Sequence, residues 1–149
     1  METVRVGVIG VGHLGMHHAR VYHEIQGTEL VGVVDIDEAR AQKIAEPLAV
    51  PAYSDIKEFL DKCHPDAVSI VVPTVMHYEA AKIAMEAGCH VLVEKPVTPS
   101  VDEAEKLLQL ASEKNAILQV GHIERFNSAV RHARRFIEAP YFIQANRTA

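Results

Sequence analysis

Residues 4–15 read VRVGVIGVGHLG, and this run decides the fold. Val4, Val6, Val8 and Ile9 make a short apolar strand that stops at Gly10-Val11-Gly12-His13-Leu14-Gly15, a G-x-G-x-x-G pattern followed at once by helical sequence. Each glycine answers a separate demand. Gly10 permits a tight turn, Gly12 lets backbone approach a pyrophosphate, and Gly15 lets the helix pack closely on the strand. The helix N-terminus, reached through His13 and Leu14, offers free N–H groups and partial positive charge to the phosphates. A second apolar run, Leu30-Val31-Gly32-Val33-Val34, ends in Asp35 twenty residues after Gly15, with Ile36 beside it. A carboxylate there accepts the ribose hydroxyls of an adenosine and repels a 2′-phosphate, which points to NAD rather than NADP. Arg40 is close enough in sequence to partner a phosphate but reads first as a solvated helix residue.

At 149 residues, 48% apolar and 23% charged, the chain has the size and composition of one soluble globular domain. Its net charge of -5 argues against nucleic acid or an anionic membrane as partner. Arg131, Arg134 and Arg135 gather late but share their helix with Glu124 and Glu138, which reads as a solvated face. Cys63 and Cys89 make no disulfide framework and suit a reducing compartment. With no secretory leader and no membrane-length apolar run, the expected address is the cytoplasm. His13 and His17, four apart, have ligand spacing, but no carboxylate or cysteine completes a set, and no metal is expected.

Outward from the glycine run the pattern repeats strand and helix. Leu14, Val21 and Ile25 share one face of the first helix. Asp37 caps a second that Pro47 ends after Glu46. A third strand spans Val50 to Tyr53. Asp55 and Glu58 have capping-box spacing before Ile56, Phe59 and Leu60. Ala67-Val68-Ser69-Ile70-Val71-Val72 is apolar on both faces, as a strand of a covered parallel sheet must be. The alternation implies α/β architecture with a doubly wound parallel sheet.

Ligands bind such sheets at the carboxyl ends of the strands. Two groups fall there: Pro73, Thr74 and His77 after the fourth strand, with Thr74 a helix cap, and Glu94-Lys95-Pro96 after a fifth strand, Cys89 to Val93. A charged pair stopped by proline after a buried strand is not what core packing asks for. Lys95 there can hydrogen-bond a substrate oxygen and stabilise charge as hydride moves, the bland alternative being a surface ion pair. Ser100 and Glu103 open a helix with Ala104, Leu107, Leu108 and Ala111 inward. A sixth strand, Ile117 to Val120, meets the polar run GHIERFN at 121–127, and a last helix from Asn127 to Glu138 puts Val130, Ala133, Phe136 and Ile137 on one side. Pro140 ends it. Tyr141 to Arg147 looks like the first strand of something else, giving a dinucleotide-binding domain over 1–139 and the start of a second domain over 140–149.

VGVIGVGHLG, Asp35, VPTVMH, VLVEKPVTPSVDEAEKL and VGHIERFN together resemble the Gfo/Idh/MocA oxidoreductases. Members bind NAD or NADP and move hydride to or from a carbon bearing a sugar or polyol hydroxyl. The resemblance implies that Lys95 is catalytic, touching the nicotinamide ribose and the reacting oxygen, and that Pro96 follows a cis bond. It implies that Thr74, His77 and Glu94 line the cofactor, and that Arg125 and Asn127 lie near nicotinamide and substrate. GHIERFN looks most like members acting on nucleotide-linked amino sugars. Family members carry a second α/β domain with most substrate contacts and the oligomer interface, so these 149 residues hold a cofactor site but not a complete active site, and a homo-oligomer is expected at full length. The competing expectation is a module that senses NAD without catalysis.

Overall fold

The computed structural model describes residues 3–138 together with Phe142 and Gln144. The strand expected over Tyr141–Arg147 lies outside the described residues. Six strands, β1 (Val4–Ile9), β2 (Thr28–Val34), β3 (Ala52–Tyr53), β4 (Ala67–Ile70), β5 (His90–Val93) and β6 (Leu118–Val120), form one parallel sheet in the order β3-β2-β1-β4-β5-β6. The order reverses between β1 and β4, the switch point of a doubly wound sheet.

Helices cover both faces. Beneath α1 (Gly15–Glu24) and α2 (Glu38–Leu48), Val8, Val11, Val33, Ala19, Ala41 and Ala45 form one apolar cluster. On the other face α3 (Ile56–Cys63), α4 (His77–Glu86) and α5 (Val101–Glu113) close over Phe59, Ile70, Met85, Val93 and Leu107. The Phe59 ring packs against both Gly7 and Gly32, which are paired across β1 and β2; a Cβ on Gly7 would overlap the ring. Glycine inside these two strands therefore marks a close approach rather than a turn. Ser69, fully buried in β4, shares a 2.7 Å hydrogen bond with the Tyr22 hydroxyl of α1, so the polar atom in that strand is satisfied.

Four local expectations change. The buried positions of α1 are Gly15 and Ala19, while Leu14, Val21 and Ile25 stand 41%, 40% and 48% exposed, because small residues let the helix lie close to the sheet. Pro47 sits inside the last turn of α2, where its missing N–H forfeits a single bond. The helix then ends at Ala49, in the left-handed region at φ 53°, its N–H shared between Ala45 and Glu46. Leu108 points outward at 62% exposure, and Leu110 packs against the core in its stead. The last helix, α6, is only Ser128–Arg134, preceded by a 3-10 turn over Ile123–Phe126, and Val130, Phe136 and Ile137 are exposed. Strands β3, β4, β5 and β6 are also shorter than the runs that announce them.

Side-chain caps fall where the spacing placed them. Asp37, Asp55 and Ser100 accept the N–H of Arg40, Glu58 and Glu103. Thr74 caps nothing; it opens a 3-10 turn, Thr74–Met76, that leads into α4 without a side-chain bond.

Candidate functional site

Register fixes the site before any side chain is considered. Tyr53, Val34, Ile9, Ile70, Val93 and Val120 pair across the sheet as one row. The residues that follow them, Ser54, Asp35, Gly10, Val71, Glu94 and Gly121, therefore emerge side by side at the carboxyl edge.

At the β1 end of that row the three glycines of the turn are constrained differently. Gly10 holds φ +88°, and a Cβ there would sit 2.6 Å from the Val71 carbonyl oxygen. A Cβ on Gly15 would collide with the Gly10 carbonyl oxygen. Gly12 has no such restraint: a Cβ would meet nothing within 4 Å. The fold needs Gly10 and Gly15, whereas bareness at Gly12 makes sense only for something that comes close from outside. The N–H groups of Gly12, His13 and Leu14 make no hydrogen bond to another described residue, and α1 has neither a side-chain cap nor an acid in its first turn. Unpartnered donors at an uncapped helix start, next to an open glycine, fit a diphosphate.

Asp35 is 6% exposed. Its Oδ2 accepts the Val11 N–H at 2.9 Å, fastening the glycine turn, and its Oδ1 accepts the Asp37 N–H at 3.0 Å and the Arg40 guanidinium at 3.1 Å. Arg40 also reaches Asp37 at 3.1 Å, so this helix residue, its side chain 47% exposed, is solvated as expected and yet tied to both carboxylates. Gly10, Gly12, Asp35, Ile36, Arg40 and Pro73 line a cavity of about 570 Å³, together with Ser54, Lys57, Val71, Val72 and Met76. Val72 and Met76 belong to the stretch VPTVMH already placed at this edge, whereas Ser54, Lys57 and Val71 escaped the sequence reading, Ser54 and Val71 being marked only by register, as the residues just beyond their strands.

The β5 end carries Glu94 and Lys95. Glu94 is 7% exposed, its Oε2 accepts the Lys95 backbone N–H at 3.3 Å, and its Oε1 lies 3.4 Å from His18 Nε2 of α1. Burial holds His18 below its usual pKa, with Glu94 pulling the other way. Lys95 is exposed and forms none of the ion pairs among the described residues, while the Glu94 carboxylate faces His18. The Lys95–Pro96 bond is cis.

His77 is 1% exposed and does not line the cavity. Its Nδ1 lies 2.9 Å from the Pro96 carbonyl oxygen and its Nε2 2.9 Å from that of Val72, tying the loop after β4 to the loop that presents Lys95. Thr74 is half-buried, and His13 and Leu14 are exposed at the turn, outside the cavity lining. The His13 and His17 rings meet edge to face at 5.7 Å. Arg125 lines a separate cavity with Phe126 and three further arginines, while Asn127 caps α6 by accepting the Ala129 N–H at 2.9 Å.

The chain matches the model of the oxidoreductase family with NAD-binding Rossmann fold over residues 4–122. It is 42% identical over 150 residues to a UDP-N-acetylglucosamine 3-dehydrogenase of Acidithiobacillus ferrooxidans, covering 100% of this chain and 47% of that protein. It is 38% identical over 140 residues to a Bacillus subtilis scyllo-inositol 2-dehydrogenase (NAD(+)), with coverage of 93% and 41%. A solved scyllo-inositol dehydrogenase from Lactobacillus casei, with bound cofactor NAD(H) and scyllo-inositol, superposes at TM-score 0.85 with 28% identity, over 91% of this chain and 41% of that one. The chain thus spans under half the length of these relatives. With the strand order, the open glycine and the matched span in agreement, this chain belongs to the Gfo/Idh/MocA oxidoreductase family as its NAD-binding Rossmann domain.

Proposed function

We propose that the whole protein is an NAD-dependent dehydrogenase acting on a hydroxyl-bearing carbon of a sugar, polyol or nucleotide-linked sugar, and that Lys95 is its catalytic residue within this chain. The row of strand ends carries the reading. Asp35 and Glu94 follow paired positions three inter-strand steps apart, about 14 Å at ~4.8 Å per step, with the glycine turn between them. An extended dinucleotide lying along that edge has its adenosine at Asp35 and its nicotinamide at Lys95. NAD, when bound, supplies the hydride acceptor or donor.

The chain's own residues do the rest. The N–H groups of Gly12, His13 and Leu14 bind the diphosphate, and Asp35 Oδ2, which carries only the Val11 bond, accepts a ribose hydroxyl. Ile36 and Pro73 wall the adenosine end, and Glu94 and Thr74 take positions toward the nicotinamide, whereas Arg125 stands apart in the arginine-lined cavity. Lys95 Nζ stands at the reacting oxygen, where it stabilises charge and passes the proton. His77 fixes the backbone on the far side of Lys95. Among substrates we favour a nucleotide-linked amino sugar, which the name of the 42% identical relative supports. Cytoplasm and homo-oligomer remain part of the same proposal; the two free, buried cysteines suit a reducing compartment.

The test separates binding from chemistry. Asp35→Ala weakens NAD about tenfold or more, whereas Lys95→Ala lowers turnover of the whole protein by about 10²-fold or more and shifts NAD affinity little. Equal losses of turnover and NAD affinity in Lys95→Ala would make the lysine structural and the proposal wrong.

A further inference from the structure

Beyond Lys95, on the side away from Asp35, β6 ends in Val120 and Gly121 runs against the buried carboxylate of Glu94; a Cβ on Gly121 would sit 2.5 Å from Glu94 Oε1. From that contact the chain passes directly into the 3-10 turn Ile123–Phe126 and α6. Arg125, Phe126, Arg131, Arg134 and Arg135 line one cavity there, of about 400 Å³. None of the four arginines takes part in an ion pair among the described residues. Glu124 is held by the Asn127 side-chain amide at 2.9 Å, and Glu138 pairs with none of them, so the solvated-face reading of these arginines lacks the neutralising carboxylates it assumed. Four like charges around one small cavity repel each other, and a multivalent anion relieves that repulsion. Guanidinium forks suit phosphate oxygens, and the Phe126 ring, 68% exposed, offers a face for a base.

We infer that this cavity receives the diphosphate of a nucleotide-linked sugar substrate. The inference rests on the proposed dehydrogenase reading, because it takes Lys95 as the point where the sugar reacts. The order along the sheet edge is then adenosine at β2, diphosphate of NAD at β1, lysine at β5, and substrate diphosphate past β6. A neutral polyol would have no use for the arginines.

The probes are UDP, inorganic pyrophosphate, myo-inositol and NAD, titrated by calorimetry into the wild-type protein, Arg131→Gln/Arg135→Gln and Arg131→Lys/Arg135→Lys. In the wild type, UDP and pyrophosphate bind and weaken as salt rises, and UDP does not compete with NAD. The glutamine pair weakens UDP at least about tenfold and leaves NAD within about twofold; the lysine pair keeps the salt dependence with reduced affinity. Unchanged NAD binding shows that the variants fold. NAD binding without UDP or pyrophosphate binding, UDP affinity indifferent to the glutamine pair, or UDP displaced by NAD would each overturn the inference. Binding of UDP without NAD would instead overturn the dehydrogenase reading, and the inference with it.

Discussion

At Asp35 one carboxylate closes the glycine turn through Val11, joins Arg40, and stays on the cavity wall, so its removal loosens the turn as well as the proposed ribose contact. His77 is a second such case. Its two ring nitrogens lie 2.9 Å from the carbonyl oxygens of Pro96 and Val72, so one side chain ties two loops together. Its influence on Lys95 runs through backbone, and nothing in its spacing from Thr74 or Pro73 announces that. His18 gives a pH-dependent outcome. Burial lowers its folded pKa below the ordinary 6.5, so the unfolded chain takes up the proton first. Stability is therefore full above pH 6.5 and falls as pH drops toward the folded value. Urea unfolding at several values between about pH 7.5 and 5 should show wild-type stability falling more steeply than that of His18→Gln, which keeps a donor toward Glu94. Identical slopes would mean that His18 plays no part.

Strand, turn and helix separate what the fold needs from what the ligand needs. Gly15→Ala drives a Cβ into the Gly10 carbonyl and should cost about 1–3 kcal/mol in thermal or urea unfolding. Gly12→Ala meets only open space and should leave stability within about 0.5 kcal/mol, yet weaken NAD by about tenfold or more. If Gly12→Ala is as stable as the wild type and binds NAD as tightly, the bare position serves no ligand; if it is strongly destabilised, the glycine is structural. At this scale much was legible in the chain: strand, G-x-G-x-x-G and Asp35 carry fixed geometric demands, and Asp37, Asp55 and Ser100 cap their helices by local bonds. The inward face of α1 was legible only at Gly15, whose close packing the glycine pattern demands; Ala19 buries little area and leaves Leu14 and Val21 as the stronger apolar signal. Pro47 was misplaced because a proline in a final turn loses too little to end the helix there. The arginine cavity was only partly legible: Arg131, Arg134 and Arg135 gather in the sequence, but Arg125 joins them only through the 3-10 turn before α6.

Across the whole molecule, parallel pairing turns six separate chain positions into one edge, and that edge spans from Asp35 through Gly10 and Glu94 to Gly121. The sequence marks the polar residues along it, but the interval between them is set by strand order, which the chain alone implies only through its alternation of strand and helix. The central claim is that NAD lies along this edge from β2 to β5. Its most direct test is amide chemical-shift mapping by NMR during titration with NAD, with AMP as the half-length control. The account predicts that AMP perturbs Asp35, Ile36 and the Gly12–Leu14 turn, and that NAD perturbs these plus Glu94, Lys95 and Gly121. NAD shifts confined to the AMP set, or clustered at the amino ends of the strands near Val4 and Ala67, would contradict it.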